Sequence, residues 1–185
     1  TLSATGLVRK AHQGNVLFRL KACTNVDFGS LHFSGVVQPV HSQYRLGWIV
    51  AQPVYGSTDL RGHLRVNGAA YGLWSGDYDI ATGDCDAFDF SVAGDDIGYP
   101  VSLWDSGHRS RYRIVGNRVH RGAYVGGVHD AHFDIDVTNP DVAGILITHQ
   151  PLAGTTLTGC ENIDADVSVK ADQEISLHTV GSSRY

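Results

Sequence analysis

The stretch IDADVSV, residues 163–169, decides the reading of this chain. Ile163, Ala165, Val167 and Val169 fall on one side of it; Asp164, Asp166 and Ser168 fall on the other. Successive side chains of a strand point to opposite faces, so this is the period of a half-buried strand. The period recurs along the chain. Val16, Phe18, Leu20 and Ala22 alternate with Arg19 and Lys21. Phe88, Phe90 and Val92 alternate with Asp89 and Ser91; Phe133, Ile135 and Val137 oppose His132, Asp134 and Asp136. Further strands are expected at 30–38, 44–52, 61–67, 110–115, 143–149 and 174–180. No window of ten residues carries apolar positions at helical spacing.

The breaks carry turn chemistry, as in DFGS, VYGSTD, VAGDDIGYP and TNPDVAG, and 22 glycines suit many short connections. No linker, repeat or composition shift divides the chain. These features predict an all-β fold of nine or ten strands: an antiparallel β-sandwich or a closed barrel. One domain is expected over 1–185, with 1–14 as an N-terminal arm and 181–185 as a C-terminal tail.

At 185 residues, 42% hydrophobic and 18% charged, the composition is that of a folded domain with a core. No apolar run approaches the length of a membrane-spanning helix. The start, TLSATGLVRKAHQGN, is polar and does not read as a signal peptide. The chain holds no methionine, which predicts that proteolysis exposes Thr1. Cys23, Cys85 and Cys160 lie far apart and form no metal-binding pair of cysteines; at most one bridge is expected, and three free thiols are the simpler reading.

The formal charge is −5, yet residues 108–121, HRSRYRIVGNRVHR, hold Arg109, Arg111, Arg113, Arg118 and Arg121. On a strand, Arg109, Arg111 and Arg113 share a face, with Arg118, His120 and Arg121 extending the patch if VGN turns the chain back as a hairpin. Guanidinium groups so placed want anions: phosphate, which matches arginine bidentately, or carboxylates of this chain or of a neighbouring subunit. These five arginines are the expected RNA or inter-subunit anion contacts.

Other candidates have plainer readings beside them. DYDIATGD begins like a calcium loop, but Ala81, Thr82 and Gly83 break the pattern, leaving a looser set of Asp77, Asp79, Asp84 and Asp86 against an ordinary solvated loop. His129, Asp130, His132, Asp134 and Asp136 resemble a transition-metal set, but no third histidine completes it, and a polar outer face over Phe133 and Ile135 is the commoner meaning. No metal or cofactor is expected. Ten histidines predict sensitivity of stability or assembly near pH 6. His41, Asp77 and Ser106 follow the chain order of a chymotrypsin-like serine protease, but Trp104 stands where glycine usually opens the oxyanion turn.

Several segments together resemble the jelly-roll coat proteins of plant picorna-like viruses of the comovirus, nepovirus and cheravirus group. They are FGSLHFSGVVQP (28–39), YRLGWIVAQPVYG (44–56), DAFDFSVAGDDIGYP (86–100) and the close at 144–181. The resemblance implies that the antiparallel β-sandwich is a single jelly roll of about eight to ten strands, and that the chain is a non-catalytic subunit of an icosahedral capsid, partnered by copies of itself and other coat proteins, with possible contact to genomic RNA and no membrane partner. It implies location in the virion, and in host cytoplasm during assembly. The alternatives are a secreted carbohydrate-binding module using Trp48, Trp74, Tyr78 and Trp104, and the small serine protease.

Overall fold

In a computed structural model, residues 2–7, 15–35, 48–76, 85–141, 143–148 and 159–170 are described. They form eleven strands and no helix: β1 (Leu2–Leu7), β2 (Asn15–Lys21), β3 (Thr24–Gly35), β4 (Trp48–Val54), β5 (Thr58–Ser75), β6 (Asp86–Trp104), β7 (Arg111–Asn117), β8 (Arg121–Gly126), β9 (His129–Thr138), β10 (Ala143–Thr148) and β11 (Glu161–Lys170). The all-β expectation holds.

The antiparallel expectation does not. Every pairing among the described strands is parallel. One hydrogen-bonded run is β1-β3-β5-β6-β7-β9-β11. A second joins β2 to β4, β4 to the later part of β5, the later part of β6 to β8, and β8 to β10. The chain therefore winds as a coil, laying one strand on each run per turn. It is a parallel β-solenoid rather than a jelly roll. Alternation fixes which face a residue takes, but a strand may pair in either direction with the same alternation. Leu2–Leu7, expected within an arm, pairs with β3. The expected strand 174–180 lies outside the described residues.

The coil repeats. Partners of Asp89 and Arg111 on the next strand, Arg111 and His132, lie 22 and 21 residues on. Elsewhere the advance is longer, as from Val26 to Leu60 or His129 to Glu161. Those longer turns obscured the repeat in the sequence. VGN makes no hairpin: β7 and β8 belong to different runs, and Arg118 turns the chain between them with φ 52°.

Left-handed residues mark the corners. Asn25, Asp59, Ala87, Arg109, Asp130 and Asn162, each near the start of its strand on the first run, have φ between 50° and 56°. Gly68, Asp96, Arg118 and Asn139, with φ between 50° and 69°, mark the corners where the chain leaves that run. Asn, Asp and Gly tolerate this conformation best, because a short polar side chain or none relieves the crowding at Cβ.

Inside, like residues stack. Leu31, Leu64, Val92, Ile114, Ile135 and Val167 stand in register through six strands. Beside them runs an aromatic row. Phe90, Tyr112 and Phe133 are successive partners, Tyr112 stacks on Phe133 with centroids 4.9 Å apart, and Phe28 lies 5.4 Å from Phe90. Phe28 reaches the row through an irregularity between Asp27 and Ser30, and its ring occupies the space a side chain at Gly62 would need. Burial of these rows is the main stabilising term. Tyr112 is fully buried, which pushes its phenol well above the usual range; its hydroxyl donates to the Gly107 carbonyl at 3.2 Å.

All three cysteines occupy one corner position, one residue before β3, β6 and β11 of the first run. The Thr58 amide donates to Cys23, that of Asp86 to Ser57, that of Gly107 to Cys85 and that of Glu161 to Val128. Ser57 thus separates Cys23 from Cys85, about 10 Å at 4.8 Å per strand, beyond disulfide reach. All three thiols are free.

Candidate functional site

The outward face of the first run carries the charge. Three columns cross it. The first is Asp27, Arg61, Asp89, Arg111, His132 and Asp164; the second is Ser30, His63, Ser91, Arg113, Asp134 and Asp166; the third is His32, Arg65, Ala93, Val115, Asp136 and Ser168. Strands β5 and β7 present cations, β6 contributes Asp89, and β9 and β11 present carboxylates. Alternation supplies this arrangement: odd positions of β7 point out because Tyr112 and Ile114 must point in.

The five arginines of 108–121 do not form one patch. Arg109 is tied to Asp86, which also accepts from Thr58. Arg118 grips Asp96 with two hydrogen bonds. Arg113 lies 3.7 Å from Asp134, with both groups more than half exposed. Arg121 belongs to the second run: its Nη1 donates to the Tyr99 hydroxyl at 2.9 Å, and its guanidinium lies over the rings of Tyr99 and Tyr124. Arg111 is exposed and, among the described residues, makes no ion pair or side-chain hydrogen bond. Arg65, unremarked in the sequence, shares that state on β5. So do the carboxylates of Asp89, Asp136 and Asp166. The alternation of 61–67 marks a strand and puts Arg61, His63 and Arg65 on one face, but it does not tell which strands lie beside them.

The histidine–carboxylate set is a cross-strand ladder. His132 Nδ1 lies 3.0 Å from Asp164 and His129 Nδ1 lies 3.8 Å from Glu161, while the His108 and His129 rings stack at 5.0 Å. Among the described residues, no group of three or more His, Cys, Asp or Glu side chains is placed to hold a metal. Asp77, Asp79 and Asp84 lie outside the described residues; Asp86 is engaged as above.

Of the protease candidates, His41 and Asp77 lie outside the described residues. Ser106 is fully buried, its hydroxyl 2.6 Å from that of Ser75, which itself donates to the Pro53 carbonyl. Of the carbohydrate-binding aromatics, Tyr78 lies outside the described residues. Trp104 is buried edge-on to Tyr124, Trp74 stacks on Tyr71 at 4.7 Å, and Trp48 packs on Phe33 at 5.9 Å. These rings serve packing, and no exposed row of them forms a platform among the described residues.

Comparison with protein-family models, curated proteins and solved structures returns no match.

Proposed function

We propose that this protein is a non-catalytic structural subunit that works by associating with copies of itself, a viral coat being the assembly its sequence resemblance suggests. One observation carries the reading. The outer face of the first run holds exposed cations, Arg65 and Arg111, and exposed carboxylates, Asp89, Asp136 and Asp166, none of them engaged among the described residues, on different strands of one surface. A surface that carries both signs in separate rows suits another copy of itself better than a polyanion, which the net charge of −5 repels. The parallel coil is not the fold on which the coat resemblance rested, so the coat role stands on self-association alone. Contact with genomic RNA would fall to Arg111, since carboxylates engage Arg109 and Arg118 and Asp134 lies beside Arg113.

Sedimentation velocity of the purified chain across concentration, at low and moderate salt, tests the proposal. Assembly beyond the monomer, reversed by salt, is expected. A particle of many copies would favour the coat role. A species that stays at 19.9 kDa throughout would refute self-association.

A further inference from the structure

Resting on that self-association, we infer that two copies pair face to face through the charged sheet, about a two-fold axis parallel to the strands and midway between β6 and β7. An isologous interface makes each surface its own partner, so the pattern of charges on one copy selects the axis. A two-fold running across the strands would set each strand against itself, cation rows against cation rows. A two-fold parallel to the strands reverses their order and keeps each residue in its column.

Centred between β6 and β7, that axis sets β6 against β7 of the second copy and β5 against β9. Asp89 then meets Arg111, Arg65 meets Asp136 and His63 meets Asp134, each pair occurring twice. At the centre Val115, which is 45% exposed although apolar, meets Ala93. In the neighbouring column Asp95 meets Asn117, both able to hydrogen-bond. Arg61 meets His132, whose ring Asp164 engages; otherwise like charges meet only toward the ends, Asp27 with Asp164 and Asp59 with Asp130, where water screens them. Moving the axis one strand toward β9 sets Asp89 against Asp164 within a smaller overlap. Placing it on β7 sets Arg111 against itself.

The area fits as well. Six strands at about 4.8 Å, each some ten residues long at about 3.3 Å per residue, make a face of roughly 900 Å² per copy. A stable interface of standard size needs about 800 Å² per partner. Val115 supplies the uncharged centre, and the ion pairs around it set register and partner choice.

Charge exchange tests the register. Arg65→Asp alone and Asp136→Arg alone should each weaken dimerisation at least tenfold in sedimentation velocity, with circular dichroism unchanged. Mixing the two variants should restore a dimer near twice 19.9 kDa, because Asp at 65 of one chain meets Arg at 136 of the other while the second site keeps its native Arg65–Asp136 pair. The double variant should also dimerise. If the wild type associates but neither variant weakens it, or mixing fails to restore it, this register is wrong while self-association stands. If the wild type never associates at low salt, both fall.

Discussion

Arg118 holds Asp96 across the corner where the chain leaves the first sheet: Nε donates to one carboxylate oxygen at 2.6 Å and Nη2 to the other at 2.8 Å. Both residues are left-handed, at equivalent corners of adjacent turns. Hydrogen bonding to Arg118 draws the Asp96 carboxyl below its ordinary value, outweighing the opposing effect of burial, and the guanidinium charge adds to it. A carboxyl lowered in the folded state stabilises above its unfolded value of about 3.9 and loses that contribution as pH falls through the lower folded value. Asp96→Asn should therefore lower Tm at pH 6, and its gap to the wild type should shrink by pH 2.5. Thermal melts across that range check this; a constant gap would show that the ion pair is idle.

His120 should behave in the contrary sense. Burial first, and the neighbouring Arg121 charge second, hold its imidazole below the ordinary value; Asp141, 3.5 Å away, opposes them. The folded state favours the neutral ring, so its contribution is complete above about pH 6.5 and declines as pH falls from there to the lowered folded value. Between pH 7 and 5, His120→Gln should lose less stability than the wild type in urea titrations. Parallel loss in both proteins would assign the acid sensitivity to other histidines.

The corners offer a stability test. Ala87 sits at φ 53° in a column otherwise held by Asn, Asp and Arg. A residue with a Cβ pays about 1–2 kcal/mol there, so Ala87→Gly should gain about 0.5–1 kcal/mol net of glycine's extra chain entropy. Gly68→Ala, at φ 69°, should lose about 1 kcal/mol. Urea midpoints at constant slope measure both, and a destabilising Ala87→Gly would contradict the left-handed corner.

Position along the coil should set the cost of a core truncation. Val92 and Val167 share one interior column, but Val92 is fully buried between two neighbours while Val167, on the terminal described strand, is half-buried. Val92→Ala should cost about 2–3 kcal/mol and Val167→Ala less than half of that. Equal costs would mean that the two sites are equally enclosed.

Much of this architecture was legible, and the gap has a definite cause. The inward rows of β3, β6, β9 and β11 follow directly from alternation, because a residue such as Phe133 between two polar neighbours has only one face to take. β8 escaped notice because RGAYVG lacks clean alternation, and β5 and β6 each run past a left-handed residue that looked like a turn. Neighbour and direction did not follow, since alternation is blind to both. The clue was positional. Cys23, Ser57, Cys85, Gly107, Val128 and Cys160 each precede a similar run, but longer turns between some of them hide the spacing. For the charged face, Arg65 lies far from the arginines of 108–121 in sequence, and only the pairing of β5, β6 and β7 brings it onto their surface.

Asp89, Arg111 and His132 succeed one another at steps of 22 and 21 residues, each strand leaning only on the two beside it. Such a molecule is extensible: one whole storey can be copied or dropped without redesigning the rest. Excising 108–128 would bring Asp89 directly under His132 and Phe90 under Phe133, preserving the interior while erasing the cationic row that β7 supplies. A change in its length can thus alter its surface charge while leaving its interior intact.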